Sequence, residues 1–185
     1  MPYPHWQYFL AIESDLVATS NFVEFSQKNF TTYSIEFARI LLSSSSEADV
    51  VAKALCRKID ATKNYENIID YRNTITVAYR KFHTIEVTLP RYGLSIKPWE
   101  AWGNNDNPSW WKSYNEVKHQ RDTYFEKACL ENALLSVGGL FVLVLYYYNE
   151  HLSEPDFFWP SFPKLMLTPG APDLIWNGEW KLPDF

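Results

Sequence analysis

Apolar residues recur at intervals of three and four through most of the first 150 residues, a spacing that predicts amphipathic helices. The first helix is expected to begin at Pro4, and its inward stripe comprises Trp6, Phe9, Leu10, Glu13, Leu16 and Val17. A second helix begins near residues 31–32, and the serine run at 43–46 is expected to end it. The S-x-x-D pattern of Ser46 and Asp49 predicts the start of a third.

The same spacing continues through residues 65–82, whose length favours a helix despite many β-branched residues. Alternating residues then predict a short hairpin or two extended arms at about 85–99. Asn107 and Pro108 provide an N-cap and a first helical residue for another helix. Residues 120–123 are expected to bend or break that helix before a long apolar segment begins.

These elements predict an all-α fold, a helical bundle over residues 1–152 with the short extended insertion near 85–99. A chain of 185 residues is long enough for one domain with a substantial core. The remaining residues, 153–185, are rich in proline and aromatic residues, and such a density of proline forbids a long helix. We expect this irregular tail to wrap around the same domain.

Net charge and cysteine content narrow the classes of protein that the chain can belong to. The formal charge of −5 argues against a protein that coats nucleic acid through its overall field, although it leaves room for a local basic site. Cys56 and Cys129 each lie in an apolar helical pattern, which favours buried thiols and a reducing compartment. The first residues lack the basic region of a signal peptide, so a cytoplasmic location is expected.

The most apolar stretch is 133–148, with 16 residues and no charge. It is shorter than the ~20 residues that span a bilayer, so we expect a buried helix and no membrane. Gly138 and Gly139 within it would allow another helix to approach closely. We therefore expect a homodimer whose contact uses the helix around these glycines.

One segment carries candidate chemistry: residues 109–121, with the sequence SWWKSYNEVKHQR. On a helical wheel of about 100° per residue, Tyr114, Val117 and Arg121 fall near Trp110 and predict a buried face. His119 falls on the opposite face, together with Lys112, Asn115 and Glu116.

A histidine titrates near neutral pH and is therefore suited to general acid or base catalysis. Asn115, one turn earlier, is placed to hold a hydroxyl or a phosphate oxygen, and Lys112 and Lys118 supply positive charge. The alternative is an ordinary solvated helix face. Spacing alone favours that alternative, because solvated faces outnumber functional sites.

The run from Tyr114 to His119 resembles the R-N-x-x-x-H signature of the higher eukaryote and prokaryote nucleotide-binding (HEPN) superfamily. That resemblance implies a bundle of four or five helices, often dimeric, and in many members a metal-independent ribonuclease, including toxins and phage-defence proteins. It also implies that His119 is the general base or acid for attack of a ribose 2′-hydroxyl, with Asn115 positioning it. The expected ligand is RNA or a nucleotide.

The departure from the signature is Tyr114, which stands where the superfamily has its catalytic arginine. Tyrosine cannot supply the cation that stabilises a phosphorane-like transition state. Lys118, Arg121 or Arg39 are the candidate substitutes. Without one of them, the resemblance implies a non-catalytic dimeric binding module.

A metal site is not expected at this motif. Glu116 and His119 form one E-x-x-H, whereas a di-metal bundle needs two copies and further glutamates on facing helices. The chain also lacks a Walker loop, a G-x-G-x-x-G and a G-x-S-x-G. We therefore expect neither a metal nor a cofactor.

Overall fold

The structure, a computed structural model, describes residues 3–152 and 163–168. Most of these residues are helical, which confirms the all-α prediction. The main elements are α1 (Pro4–Thr19), α2 (Ile35–Ile59), α3 (Ile68–Ala78), β1 (Val87–Leu89), β2 (Leu94–Ile96), α4 (Ser109–His119), α5 (Arg121–Tyr124) and α6 (Leu130–Tyr147). Single turns of 3-10 helix connect several of them.

Helix α6 forms the centre of the bundle, with α2 as its main neighbour and α1 and α4 beside it. The ring of Phe141 stacks on that of Phe9 at 4.9 Å between centroids, and Trp6 packs against both. By length and composition alone α6 would qualify to cross a membrane, but 83% of it is buried inside the bundle. An apolar surface on all sides is what a central helix requires.

Helix α2 corrects two predictions. It starts later than expected, at Ile35, because the side chain of Ser34 accepts a hydrogen bond from the backbone N–H of Phe37 and caps the helix. It also runs unbroken through the serines at 43–46. The hydroxyl of Ser44 donates to the carbonyl of Ile40 at 2.7 Å and contacts the Ser136 hydroxyl on α6, also at 2.7 Å. The serine run therefore lies inside one helix of 25 residues, and the predicted break is wrong.

Helix α3 is shorter than its sequence pattern suggested. Asn67 and Asp70 form a capping box at its start, and the helix ends at Ala78. The predicted hairpin is confirmed, since β1 and β2 pair antiparallel with Thr88 opposite Ser95. Gly93 has a φ of 61° in the turn, a left-handed conformation that glycine adopts without strain.

The glycines of α6 contact other parts of the same chain. A Cβ atom at Gly138 would lie 3.0 Å from Cδ1 of Ile96, and one at Gly139 would lie 2.8 Å from the ring of Trp110. The indole N–H of Trp99 also donates to the carbonyl of Gly139 at 3.1 Å. Ile96 of β2 and Trp110 of α4 therefore pack against these glycines within the same bundle, and the expected homodimer stays a prediction.

The cysteines and the described part of the tail complete the fold. Cys56 and Cys129 are free and buried, as their helical pattern predicted. Residues 163–168 lie against the bundle, where Leu167 pairs with Thr88 of β1. The rest of the predicted C-terminal wrap, 153–162 and 169–185, lies outside the described residues.

Candidate functional site

The inner face of α4 fixes the position of the motif. Trp110 is fully buried, and its indole N–H donates to the carbonyl of Pro98 at 2.8 Å. Tyr114 and Val117 are buried in a small apolar cluster with Ala38 and Leu41 of α2 and with Ala128. The side chain at the position of the superfamily's arginine is therefore largely buried, and its ring packs among apolar residues.

The outer face of α4 is solvated, as the helical wheel predicted, and its polar side chains have short-range partners. The Asn115 amide donates to the carbonyl of Trp111 at 2.9 Å, one turn back on the same helix. The ammonium of Lys118 lies 3.3 Å from the Tyr114 hydroxyl and 5.3 Å from its ring centroid. Each of these contacts is local, and none draws a second helix toward the motif.

Lys112 and His119 lie on this same outer face. Lys112 forms an ion pair with Asp106 at 2.8 Å, and both side chains are at least half exposed. His119 is the exposed last residue of α4. Within residues 3–152 and 163–168, its ring makes no hydrogen bond or ion pair. The histidine is therefore accessible, but nothing holds it in one orientation.

The two arginines among the candidate residues come together at a different place. Helix α4 ends at His119, and Gln120 turns the chain before α5 begins. This break, which the sequence predicted, directs Arg121 toward α2. Arg39 of α2 and Arg121 then line a single groove, together with Ile35, Ala38, Leu42, Asp122 and Phe125. We call this site the α2–α5 groove.

The α2–α5 groove has a volume of about 560 Å³ and a mainly apolar lining. Ile35 is 70% exposed, whereas Ile40 of the same helix is 2% exposed. Arg39 forms an ion pair with Glu36 at 2.6 Å that is exposed on both sides. The guanidinium of Arg121 has no hydrogen bond or ion pair to any residue that the structure describes. The groove thus offers one uncommitted cation and one whose pairing is weak.

His119 is not among the residues that line the α2–α5 groove. A general base and a cation that stabilises the transition state must act on the same substrate, so they need a shared cleft. The described residues also contain no group of three or more His, Cys, Asp or Glu that could hold a metal ion. The chemistry that the geometry supports at this end of the bundle is the binding of an anionic ligand with an apolar part.

Comparisons with protein-family models, with curated proteins and with the solved structures find no match. The structure itself shows a helical bundle with an amphipathic groove between α2 and α5.

Sequence reasoning identified the two arginines of the groove but not its apolar lining. The signal that was available is Ile35, an apolar residue at the start of a helix that falls off the buried stripe of α2. Phe125 gave no such signal, because it lies in a single 3-10 turn whose position depends on the break before α5. The groove is a product of that break.

Proposed function

We propose that this protein is a non-catalytic binding module and that the α2–α5 groove binds RNA or a nucleotide. The observation that carries the proposal is the convergence of Arg39 and Arg121, from elements about 80 residues apart, on one groove with an apolar lining. Guanidinium groups bind phosphate oxygens through two parallel hydrogen bonds. Aromatic and apolar side chains provide surfaces on which bases stack.

The individual contacts are consistent with an exchangeable anion site. The ion pair between Arg39 and Glu36 is exposed, and exposed pairs contribute at most about 1 kcal/mol, so a phosphate can replace the carboxylate. Arg121 has no ion pair with any described residue, so a phosphate can bind it without displacing a carboxylate. Phe125 supplies the aromatic surface, and Asp122 supplies one acceptor that suits a base amino group or a ribose hydroxyl.

Binding is favoured over cleavage by the environment of the motif. The residue in the arginine position, Tyr114, is 7% exposed and packs in an apolar cluster. Asn115 donates its amide to the backbone of its own helix. Neither side chain is placed for the role that the resemblance to HEPN proteins implies.

The second candidate function is a metal-independent ribonuclease of that superfamily's type. The observation that favours it is the accessible ring of His119, two residues before Arg121. In that case a substrate would extend from the groove toward the end of α4, and His119 would act as the general base or acid. The homodimer that the resemblance implies is common to both candidates, and sedimentation measurements would test it.

The test of binding is fluorescence anisotropy with a short labelled single-stranded RNA and with a labelled mononucleotide, across a salt series. We expect Arg121→Gln to weaken RNA binding about tenfold or more, and Arg39→Gln to weaken it less because of Glu36. The slope of log affinity against log salt should fall by about 0.7 for each phosphate that a variant can no longer neutralise. Arg57→Gln is the matched control, since Arg57 is an exposed arginine of the same helix α2 outside the groove. Equal effects of Arg121→Gln and Arg57→Gln would refute the proposed site.

The ribonuclease candidate is tested by incubating the protein with total RNA in EDTA beside His119→Ala. We expect no cleavage by either protein. Cleavage by the wild type that leaves 2′,3′-cyclic phosphate ends, and that His119→Ala abolishes, would replace the binding proposal with the ribonuclease.

A further inference from the structure

A buried carboxylate in α1 binds a segment that lies about 150 residues further along the chain. Glu13 is 1% exposed. Its Oε2 accepts a hydrogen bond from the backbone N–H of Lys164 at 2.8 Å. Its Oε1 accepts from the N–H groups of Leu165 and Met166 at 2.9 and 3.1 Å. One side chain thus satisfies three successive backbone donors.

The same segment also pairs with the edge of the hairpin. The N–H of Thr88 donates to the carbonyl of Leu167 at 2.7 Å, and the N–H of Leu167 donates back at 2.9 Å. Leu165 and Met166 are 6% and 0% exposed, whereas the side chain of Lys164 is exposed. Backbone groups, the two buried side chains and the half-buried Leu167 therefore make the contact.

This combination has the features of peptide recognition. An exposed strand edge binds the backbone of an added strand, and pockets for particular side chains supply selectivity. Hydrogen bonds to an ionised carboxylate are about twice as strong as those between neutral groups. Glu13 has no other hydrogen-bond partner among the described residues, so the carboxylate is committed to this segment.

We propose that Glu13 and the β1 edge form a peptide-binding site, that residues 163–168 (PKLMLT) occupy it as a tethered ligand, and that a free peptide of this sequence binds there once the tethered copy is disabled. Ten residues, 153–162, connect the segment to the end of the bundle. A short tether gives an effective concentration in the millimolar range, so a free peptide competes poorly with the unmodified chain. This inference is independent of the α2–α5 groove.

The first test is hydrogen exchange of the full chain. In Glu13→Gln, an amide NH₂ replaces one acceptor oxygen and faces backbone donors. We expect the amides of residues 164–166 to exchange about tenfold faster or more, with those of α6 unchanged. Glu24→Gln, at an exposed glutamate, should have no effect. Unchanged exchange in Glu13→Gln would show that the carboxylate does not hold the segment.

The second test uses full chain carrying Leu165→Gly, Met166→Gly and Leu167→Gly, with fluorescein-labelled PKLMLT as the probe. We expect the peptide to bind the triply substituted chain saturably. Its affinity for the unmodified chain should be at least about tenfold lower, because the tethered segment competes. Adding Glu13→Gln to the triply substituted chain should lower the affinity by a similar factor. A scrambled peptide of the same composition is the control. Absence of binding to the triply substituted chain, or binding that Glu13→Gln leaves unchanged, would overturn the proposal.

The triple substitution is checked by exchange of the α6 amides, which reports whether the bundle is intact. If the triple substitution unfolds the bundle, the single substitution Met166→Ser is used instead to weaken the tethered segment. We again expect PKLMLT to bind the substituted chain more tightly than it binds the unmodified chain or the substituted chain with Glu13→Gln. If the amides of residues 164–166 remain protected from hydrogen exchange when all three apolar residues are glycine, those side chains do not contribute to binding. The proposed selectivity would then be wrong.

Discussion

The outer face of α4 and the Glu13 site are two polar regions of this protein, and they differ in where their partners come from. On α4, the amide of Asn115 and the ammonium of Lys118 contact groups four residues away on the same helix. Glu13 instead contacts backbone donors that lie 151 to 153 residues further along the chain. The first region is exposed and the second is buried.

The difference distinguishes exposed polar residues, whose contacts are local, from a buried polar residue that joins distant parts of the chain. Removal of an exposed, local partner leaves both groups in water, where they find new ones. Removal of a buried acceptor leaves its donors unsatisfied, which costs far more than the bond itself contributed. This contrast leads to four predictions, ordered from the largest expected effect to the smallest.

Glu13→Ala is expected to lower the free energy of unfolding by about 2–4 kcal/mol, since three backbone donors lose their acceptor at a buried site. Urea denaturation would measure the change, with Glu24→Ala at an exposed position of the chain as the control. A loss below about 0.5 kcal/mol would place Glu13 in the same category as the α4 face.

Glu13 should also make the stability depend on pH. Burial raises the pKa of its carboxyl above the ordinary value, and the three N–H donors and Lys164 offset this only in part. A raised pKa means that the folded protein binds the proton more tightly than the unfolded chain. This contribution to the free energy of unfolding is therefore fully present below the unfolded-state pKa and is lost as pH rises through the folded-state pKa.

We expect the wild type to show this loss and Glu13→Gln to lack it, as measured by urea unfolding between about pH 4 and pH 8. Subtraction of the two curves removes the contributions of other acids. A difference that grows in the opposite direction would mean that the hydrogen bonds outweigh the desolvation.

Tyr114→Phe removes the hydroxyl that Lys118 contacts and keeps the buried ring. We expect a loss of about 0.5 kcal/mol, because the partner ammonium is exposed. A double-mutant cycle with Lys118→Met would measure the coupling between the two side chains, which should stay below about 1 kcal/mol. A larger coupling would show that the face is more ordered than its exposure indicates.

His119→Ala is expected to change the free energy of unfolding by less than about 0.5 kcal/mol, since its ring is exposed and has no partner among the described residues. The affinity for RNA should also stay within a factor of about two if the α2–α5 groove is the binding site. A strong loss of RNA affinity without a loss of stability would indicate that RNA binds at the end of α4 and not in the α2–α5 groove.

The helices and the hairpin were largely predictable because their signals are local. The stripe of α1, the apolar length of α6 and the break after His119 each depend on neighbouring residues alone. Helix α2 was misread because a serine hydroxyl can bond to the carbonyl one turn earlier without ending the helix, as Ser44 does to Ile40, while Ser44 also contacts the Ser136 hydroxyl on α6. That partner on α6 has no local signal.

The candidate site was predictable only in part, for the same reason. The exposure of His119 follows from its position on the wheel. The meeting of Arg39 with Arg121 depends on how α5 packs on α2, and the role of Glu13 depends on a segment that approaches from the far end of the described chain. In the sequence, Glu13 was simply one member of an inward stripe. Its partners are main-chain groups, which carry no sequence signature at all.

The separation of Glu13 from its partners along the chain also has a consequence for synthesis. Residue 13 leaves the ribosome long before residue 166, so the Glu13 carboxylate faces water until its backbone donors have been synthesised. The nascent bundle gains its central helix only after Tyr147 has emerged, and the three backbone hydrogen bonds to Glu13 are complete only after Met166 has been translated. Ribosome-bound chains that end before Met166 therefore have a solvated Glu13 carboxyl group, whereas the same group is buried in the folded protein.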